Sequence, residues 1–289
     1  MSLILNCFNK NHFVYLQAMP LKRLFAYFIC ILIVTLHVSC SDFSRLQKTG
    51  SPEEKLTRAI EYYNEGETYK AGVLLEEVSP ILRGKAEAEQ ALYYLANNYY
   101  KQKQYIMSAF YFKDFYLTYP RSKFVEETMY MHVHSLYLSS ADYNLDQQST
   151  YECLKALSVF STRYPNTTYL KECEVIYTEL NTKLMHKAYE HSMMYHKVGN
   201  YKSAVVAISN FIKDYPNSPY LDKSYFTRFE AQYHLAKNSV QGKIQEDRYY
   251  QAIEYYQLYV DKFPDSKHLK VSREYYDKIV TVLEELKSK

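Results

Sequence analysis

Tryptophan is absent from the 289 residues, glycine occurs six times and proline eight. So few turn formers argue against sandwiches, barrels and Gly-rich nucleotide-binding folds, and for helix. Acidic residues are missing from residues 1–39, which hold only Lys10, Lys22 and Arg23 as charges. Taking those three from the 35 basic residues leaves 32, against 32 acidic residues. A neutral body lacks the basic excess that neutralises phosphates, so nucleic acid is not an expected partner. No Gly-x-Ser-x-Gly, phosphate-cradling Gly-rich loop or His-Glu-x-x-His occurs. The reading is therefore of a non-enzyme without cofactor or metal. What is abundant is tyrosine, 34 residues within a hydrophobic content of 47%. That content suffices for a core, and the tyrosines suit helix–helix interfaces with one wet end.

Lys22-Arg23 precedes an apolar run from Leu24 to Leu36. Thirteen residues are too few to span a bilayer, which takes roughly 20. A basic segment followed by a short apolar one reads as a secretory signal. Residues 1–39 are thus expected to be a signal peptide. Met19 stands just ahead of the charges, so translation is expected to start there, with residues 1–18 as an upstream extension. The run closes Leu36-His37-Val38-Ser39-Cys40-Ser41, which resembles the bacterial lipobox. His37 and the early Leu36 depart from that motif. The resemblance implies that Cys40 is lipidated and that residues 40–51 tether the body to a membrane. No other long apolar run exists.

The body is organised by a repeat. Tyr119-Pro120, Tyr164-Pro165, Tyr215-Pro216 and Phe263-Pro264 recur at spacings of 45, 51 and 48. Two residues after each Pro stands a hydroxyl: Ser122, Thr167, Ser218 and Ser266. Pro stops one helix and the hydroxyl can cap the next by accepting a backbone N–H. Twelve residues before each Pro comes a small side chain: Ser108, Cys153, Ala204 and Ala252. A small residue there lets two helices approach closely. Tyr105, Tyr201 and Tyr249 lie 15 residues before the Pro, and Thr150 breaks that series. The run Leu92, Leu95, Ala96, Tyr99, Tyr105, Ser108, Phe112, Pro120 resembles the tetratricopeptide (TPR) pattern. A degenerate copy runs Leu56, Ala59, Ile60, Tyr63, Tyr69, Gly72.

The fold expected over 52–289 is all-α, a right-handed superhelical TPR solenoid of about five helix pairs plus a C-terminal capping helix. The pairs are read at 52–82, 86–120, 122–165, 167–216 and 218–264, and the closing helix from Ser266 to about Leu286. Thr167–Val198 lacks Gly and Pro, which predicts one helix near 30 residues, about 45 Å long. Loops are expected at Ser140–Ser149 and Ser239–Asp247.

Chemistry-bearing clusters are scarce. His186, His191 and His196 recur at a spacing of five, which rotates successive side chains by about 140° on a helix. They share no metal face, and neither do His132 and His134. Cys153 fills the small-residue slot. Pairing with Cys173 would require bridging a mismatch of about 6 Å along neighbouring helices, near the upper limit for a disulfide. Carrying the TPR ligand groove onto the inner face of each first helix nominates Gln90, Tyr93, Asn97, Tyr100 and Lys101 in the second pair. In the first pair it nominates Thr57, Glu61 and Asn64, with Glu54 and Glu65 beside them. Aromatic rings beside amides suit an extended peptide, whose backbone the amides satisfy.

A lipobox, five TPR-like pairs with Tyr-Pro-x-Ser turns and a closing helix together resemble the BamD family. Those are TPR lipoproteins of the machinery that inserts β-barrels into the outer membrane. The resemblance implies a lipid anchor in the outer membrane and a periplasmic body. It implies that later repeats dock on the periplasmic domains of the barrel-forming subunit. It also implies that the first repeats receive C-terminal segments of unfolded outer-membrane β-barrel proteins. Two alternatives stay open: a TPR coordinator of the cell-division and peptidoglycan type, and a glycan-binding TPR lipoprotein.

Overall fold

The computed structural model describes residues 42–288, which form helices and turns with no strand among them. A helical segment over 42–49 precedes α1 (Pro52–Glu65), α2 (Thr68–Ile81), α3 (Ala88–Lys101) and α4 (Tyr105–Thr118). There follow α5 (Val125–Ser139), α6 (Gln148–Arg163), α7 (Leu170–Lys197) and α8 (Tyr201–Asp214). The chain closes with α9 (Leu221–Lys237), α10 (Lys243–Lys262) and α11 (Leu269–Lys287). Among the described residues this is an all-α fold of five TPR-type helix pairs, with α11 as the unpaired closing helix. The leader, Met19 and Cys40 lie outside the described residues.

Local chemistry sets these boundaries. Ser51 and Glu54 form a reciprocal capping box ahead of Pro52, and Gly66 in the left-handed region (φ 83°) ends α1. Each second helix from α4 onward ends on the aromatic before proline: Tyr119, Tyr164, Tyr215 and Phe263. Their φ values of −119°, −127°, −126° and −133° lie in the extended region that a following Pro enforces. Four residues earlier an aromatic is buried each time: Phe115, Phe160, Phe211 and Tyr259. The hydroxyl after Pro does accept a backbone N–H, though not as the helix cap itself. Ser122, Thr167, Ser218 and Ser266 receive Phe124, Tyr169, Tyr220 and His268 at 3.1–3.2 Å. These bonds shape the turn that leads into the helix.

The chain divides into two compact units, one ending at Ser135 and the other starting at Leu136. In the first, α1 packs on α2, α2 on α3 and α3 on α4. Its core joins Leu56, Leu74, Leu75, Val78, Leu82, Leu95 and Tyr99. Ser108, fully buried, bonds Ser135 Oγ at 3.0 Å. Residues 42–49, expected as a polar tether, instead lay Phe43 and Leu46 on this core. The three-residue spacing of those two side chains gives the segment one apolar face.

In the second unit α6 through α10 pack in succession, and α11 covers α9 and α10. Helix α7 has 28 residues, as its lack of Gly and Pro predicts. The 140–149 loop ends at Gln147, whose buried amide donates to the Asp142 and Leu145 carbonyls. The second expected loop, 239–247, is much shorter, because α10 begins at Lys243 after Gly242 (φ 117°). Gln245 donates to the Ala236 carbonyl and Arg248 to Ser239, tying the early turns of α10 to the end of α9. The small-residue slots are filled as expected: Cys153, Ala204 and Ala252 have no exposed surface.

Candidate functional site

The nominated groove residues sit on the first helices of the first unit's pairs. Gln90, Thr57, Glu61 and Asn64 are exposed. Arg58 pairs with Glu61 and lies 3.7 Å from Glu65, so the acidic stretch is partly neutralised. Thr57 Oγ1 donates to its own helix at the Glu53 carbonyl.

Tyr93 and Tyr100 are half-buried and already committed to α5. The Tyr93 hydroxyl donates to Glu127 Oε1 at 2.8 Å, and its ring stacks on Phe124 at 4.5 Å. The Tyr100 hydroxyl lies 2.8 Å from His134 Nδ1. Burial pushes both phenols above their ordinary value, and at Tyr93 the Glu127 carboxylate adds to it. Burial also holds the His134 imidazole below its ordinary value. Asn97 Nδ2 donates to the Tyr93 carbonyl at 2.9 Å. Lys101 Nζ sits 3.6 Å over the Tyr63 ring and donates to the Tyr63 carbonyl at 3.2 Å. The tyrosine rings of α1 and α3 therefore form a fixed row, with Tyr63 edge-on to Tyr94 at 5.2 Å and Tyr94 edge-on to Tyr93 at 5.6 Å.

Tyr63, Tyr94, Phe124, Glu127 and His134 were not nominated from the sequence. A signal for two of them was present: Glu127 follows Tyr93, and His134 follows Tyr100, by 34 residues, one TPR period. The proline-anchored spacings of 45 to 51 conceal it. A cleft of about 570 Å³ in the same unit opens between α2, α3 and α4, lined by Glu76, Arg83, Tyr99 and Tyr111. None of the nominated residues lines it.

In the second unit the first helices α7 and α9, with the closing helix α11, carry a comparable row. His196 Nε2 lies 3.2 Å from Glu230, again 34 residues on, and Tyr275 donates to Glu230 at 3.1 Å. Burial alone would raise the Glu230 carboxyl, but His196, Tyr275 and Lys223 outweigh it and hold it below its ordinary value. Arg228 is buried between the rings of Tyr225 and Tyr255, 4.9 and 4.3 Å from their centroids. His186 packs against Tyr143 and Tyr220. Cys153 and Cys173 are both buried thiols, raised by burial to about 12 and about 11. Such thiols stay protonated and unreactive near neutral pH. Among the described residues no three His, Cys, Asp or Glu side chains are placed to hold a metal. No helix among them is long and apolar enough to cross a membrane.

The sequence that folds into these helix pairs matches known proteins. The YfiO family model, described as an outer membrane lipoprotein, matches residues 48–238. A tetratricopeptide-repeat model matches residues 230–266. The putative outer membrane protein assembly factor BamD of Aquifex aeolicus (strain VF5) is 25% identical over 207 residues. That alignment covers 69% of this chain and 64% of the relative, so the chain spans somewhat under two thirds of that protein.

Proposed function

This chain belongs to the YfiO family of outer membrane lipoproteins, and from that membership we propose that it is a lipid-anchored periplasmic scaffold for outer-membrane β-barrel assembly. The match over 48–238 carries the reading, because it runs from α1 through α9 and so includes helices of both units. The name of the Aquifex relative, an assembly factor, supports the same role. Cys40 bears the lipid. The second unit docks on the periplasmic domains of the barrel-forming subunit. The first unit receives the C-terminal peptides of unfolded barrel proteins along Gln90, Tyr93, Asn97 and Tyr100, with Thr57, Glu61 and Asn64 at the margin.

The chemistry of that face supports the assignment. Such peptides alternate aromatic and polar residues, and the groove offers fixed rings between amides. Holding the Tyr93 and Tyr100 hydroxyls on α5 orients the rings before a ligand arrives, which lowers the ordering cost of binding. Lys101 has donors left beyond the one given to the Tyr63 carbonyl. It takes the terminal carboxylate, which Glu54, Glu61 and Glu65 would repel.

Fluorescence anisotropy with a labelled barrel C-terminal peptide tests this, alongside pull-down of the barrel subunit. Truncating one such tyrosine costs about 2 kcal/mol, roughly 30-fold in affinity. The Tyr93→Ala, Tyr100→Ala pair is expected to weaken peptide binding by at least that and to leave the pull-down intact. Tyr93→Phe and Tyr100→Phe keep the rings and are expected to bind within a few-fold of wild type. Undiminished binding by the alanine pair, or loss of both activities from a still-folded variant, would refute this division of labour.

A further inference from the structure

The first unit has two edges, and the sequence of its N-terminal segment selects one. The α1–α2 and α3–α4 turns lie side by side. Gln102 Nε2 and Asn98 Nδ2, at the end of α3, both donate to the Thr68 carbonyl at 2.7 and 3.1 Å. Just beyond these turns, the second residue of α2 is Tyr69 and the second of α4 is Ile106. They are 75% and 71% exposed, and they occupy equivalent places in successive pairs. Segment 42–49 starts at this same edge. Phe43 lies edge-on to Tyr62 at 5.9 Å, and the Tyr62 carbonyl accepts the Glu67 N–H of the α1–α2 turn.

Asp42 lies two positions after Cys40, with Ser41 between them, a reach of about 7 Å at full extension. Because 42–49 packs on the core through Phe43 and Leu46, the link to the lipid is short. A lipid-bearing Cys40 therefore brings this edge to the bilayer. Exposed Ile81 and Leu117 lie at the opposite ends of α2 and α4, so apolar exposure alone does not choose an edge. The anchor does. We propose that the edge formed by the α1–α2 and α3–α4 turns rests in the headgroup layer of the membrane, with Tyr69 and Ile106 entering its apolar boundary.

Charge refines what that contact prefers. The acids near the edge are each met by a cation: Asp42 pairs with Arg45 at 3.3 Å, Glu67 with Lys70 at 3.5 Å, and Glu65 lies 3.7 Å from Arg58. Lys101 and Lys103 add only a small positive excess, so charge is a minor part of the contact beside the two apolar side chains. Tyr at an interfacial depth with an aliphatic residue beside it is an apolar contact, which a zwitterionic bilayer satisfies.

The inference rests on acylation of Cys40, and the experiment separates the two. Full-length protein matured in cells is reconstituted on phosphatidylethanolamine–phosphatidylcholine vesicles. An environment-sensitive fluorophore is placed by Tyr69→Cys or Ile106→Cys, and at the reference sites Lys85→Cys or Leu117→Cys. Protein without an added cysteine gives the background from the buried Cys153 and Cys173. Leu117 is about 16 Å along α4 from Ile106. Labels at 69 and 106 are expected to shift to shorter wavelength on vesicles and to be quenched severalfold more by a lipid-borne nitroxide than those at 85 and 117. Floating, acylated protein with all four labels equally wet overturns the edge contact and leaves the anchor standing. Leu117 buried as deeply as Ile106 also overturns it. A concentration-dependent shift at 69 and 106 without vesicles assigns the edge to a second copy and overturns the lipid contact. Protein that carries no lipid and does not float overturns anchor and edge together.

Discussion

Ala204 and Ala252 occupy slots with no accessible surface, each inside a buried apolar cluster. Ala204 meets the cluster of Met193, Ile208 and Ala231, and Ala252 that of Phe229, Tyr249 and Ile279. Added methylenes there force side chains off their rotamers or part the helices, at about 1–3 kcal/mol. Ala204→Leu and Ala252→Leu are each expected to lower the thermal midpoint, whereas Cys153→Ser changes little volume and costs chiefly the burial of a hydroxyl. Unchanged midpoints in both leucine variants would contradict the close approach assigned to this slot. The slot was legible because it recurs at a fixed distance from a proline, and size is a property that one residue displays alone. The partners of Tyr93 and Tyr100 were not legible in that way. A phenol's hydrogen-bond partner depends on the helix two further along the chain, so reading it requires the 34-residue offset to Glu127 and His134 as well as the tyrosine.

At the level of the element, the Tyr-Pro-x-Ser turn was read correctly as a stop and restart, yet its four copies are wired differently. Ser218 Oγ accepts the Tyr220 N–H. Ser266 Oγ accepts the His268 N–H, donates to Asp222 at 2.6 Å and also receives the hydroxyl of fully buried Tyr259 at 2.6 Å. Removing Ser266 Oγ leaves the Tyr259 hydroxyl only a 3.3 Å contact with Asp222, and a buried group left poorly paired costs about 1–3 kcal/mol. Ser266→Ala is expected to destabilise more than Ser218→Ala by at least about 1 kcal/mol, measured by urea unfolding of the two variants side by side. Equal losses would show that the Tyr259–Ser266–Asp222 chain adds nothing to the turn. The loop before α10 was overestimated for a related reason. Its sequence holds Gly242 and polar residues, which look like loop, but Gln245 and Arg248 use their side chains to fasten a helix start to α9. Polar residues spent on tertiary bonds carry no mark in the local pattern.

On the scale of the molecule, four of the five pairs among the described residues were countable from their prolines and the first from its degenerate copy of the pattern, whereas the division at Ser135 and Leu136 falls inside α5, where no Gly or Pro signals it. A compact unit is defined by which contacts a residue makes across the chain, and that information is not local. The proposed anchor is the reverse case: its signal is in the sequence, and Cys40 lies outside the described residues. Family membership and a leader ending Ser39-Cys40 both point to a lipoprotein. Under the proposed acylation, the distance of two residues from Cys40 to a packed helical segment constrains how the first unit meets the bilayer. Cells fed a clickable fatty acid are expected to label the wild-type protein and not Cys40→Ala, and only the wild type is expected to fractionate with membranes. A gene starting at Met19 is expected to yield mature protein of the same size with the same label, because the proposed export signal consists of Lys22, Arg23 and the apolar run to Leu36. An unlabelled wild type, or a Cys40→Ala variant labelled equally, would remove the anchor. Loss of export from the Met19 start alone would leave the anchor in place and show that residues 1–18 take part in targeting.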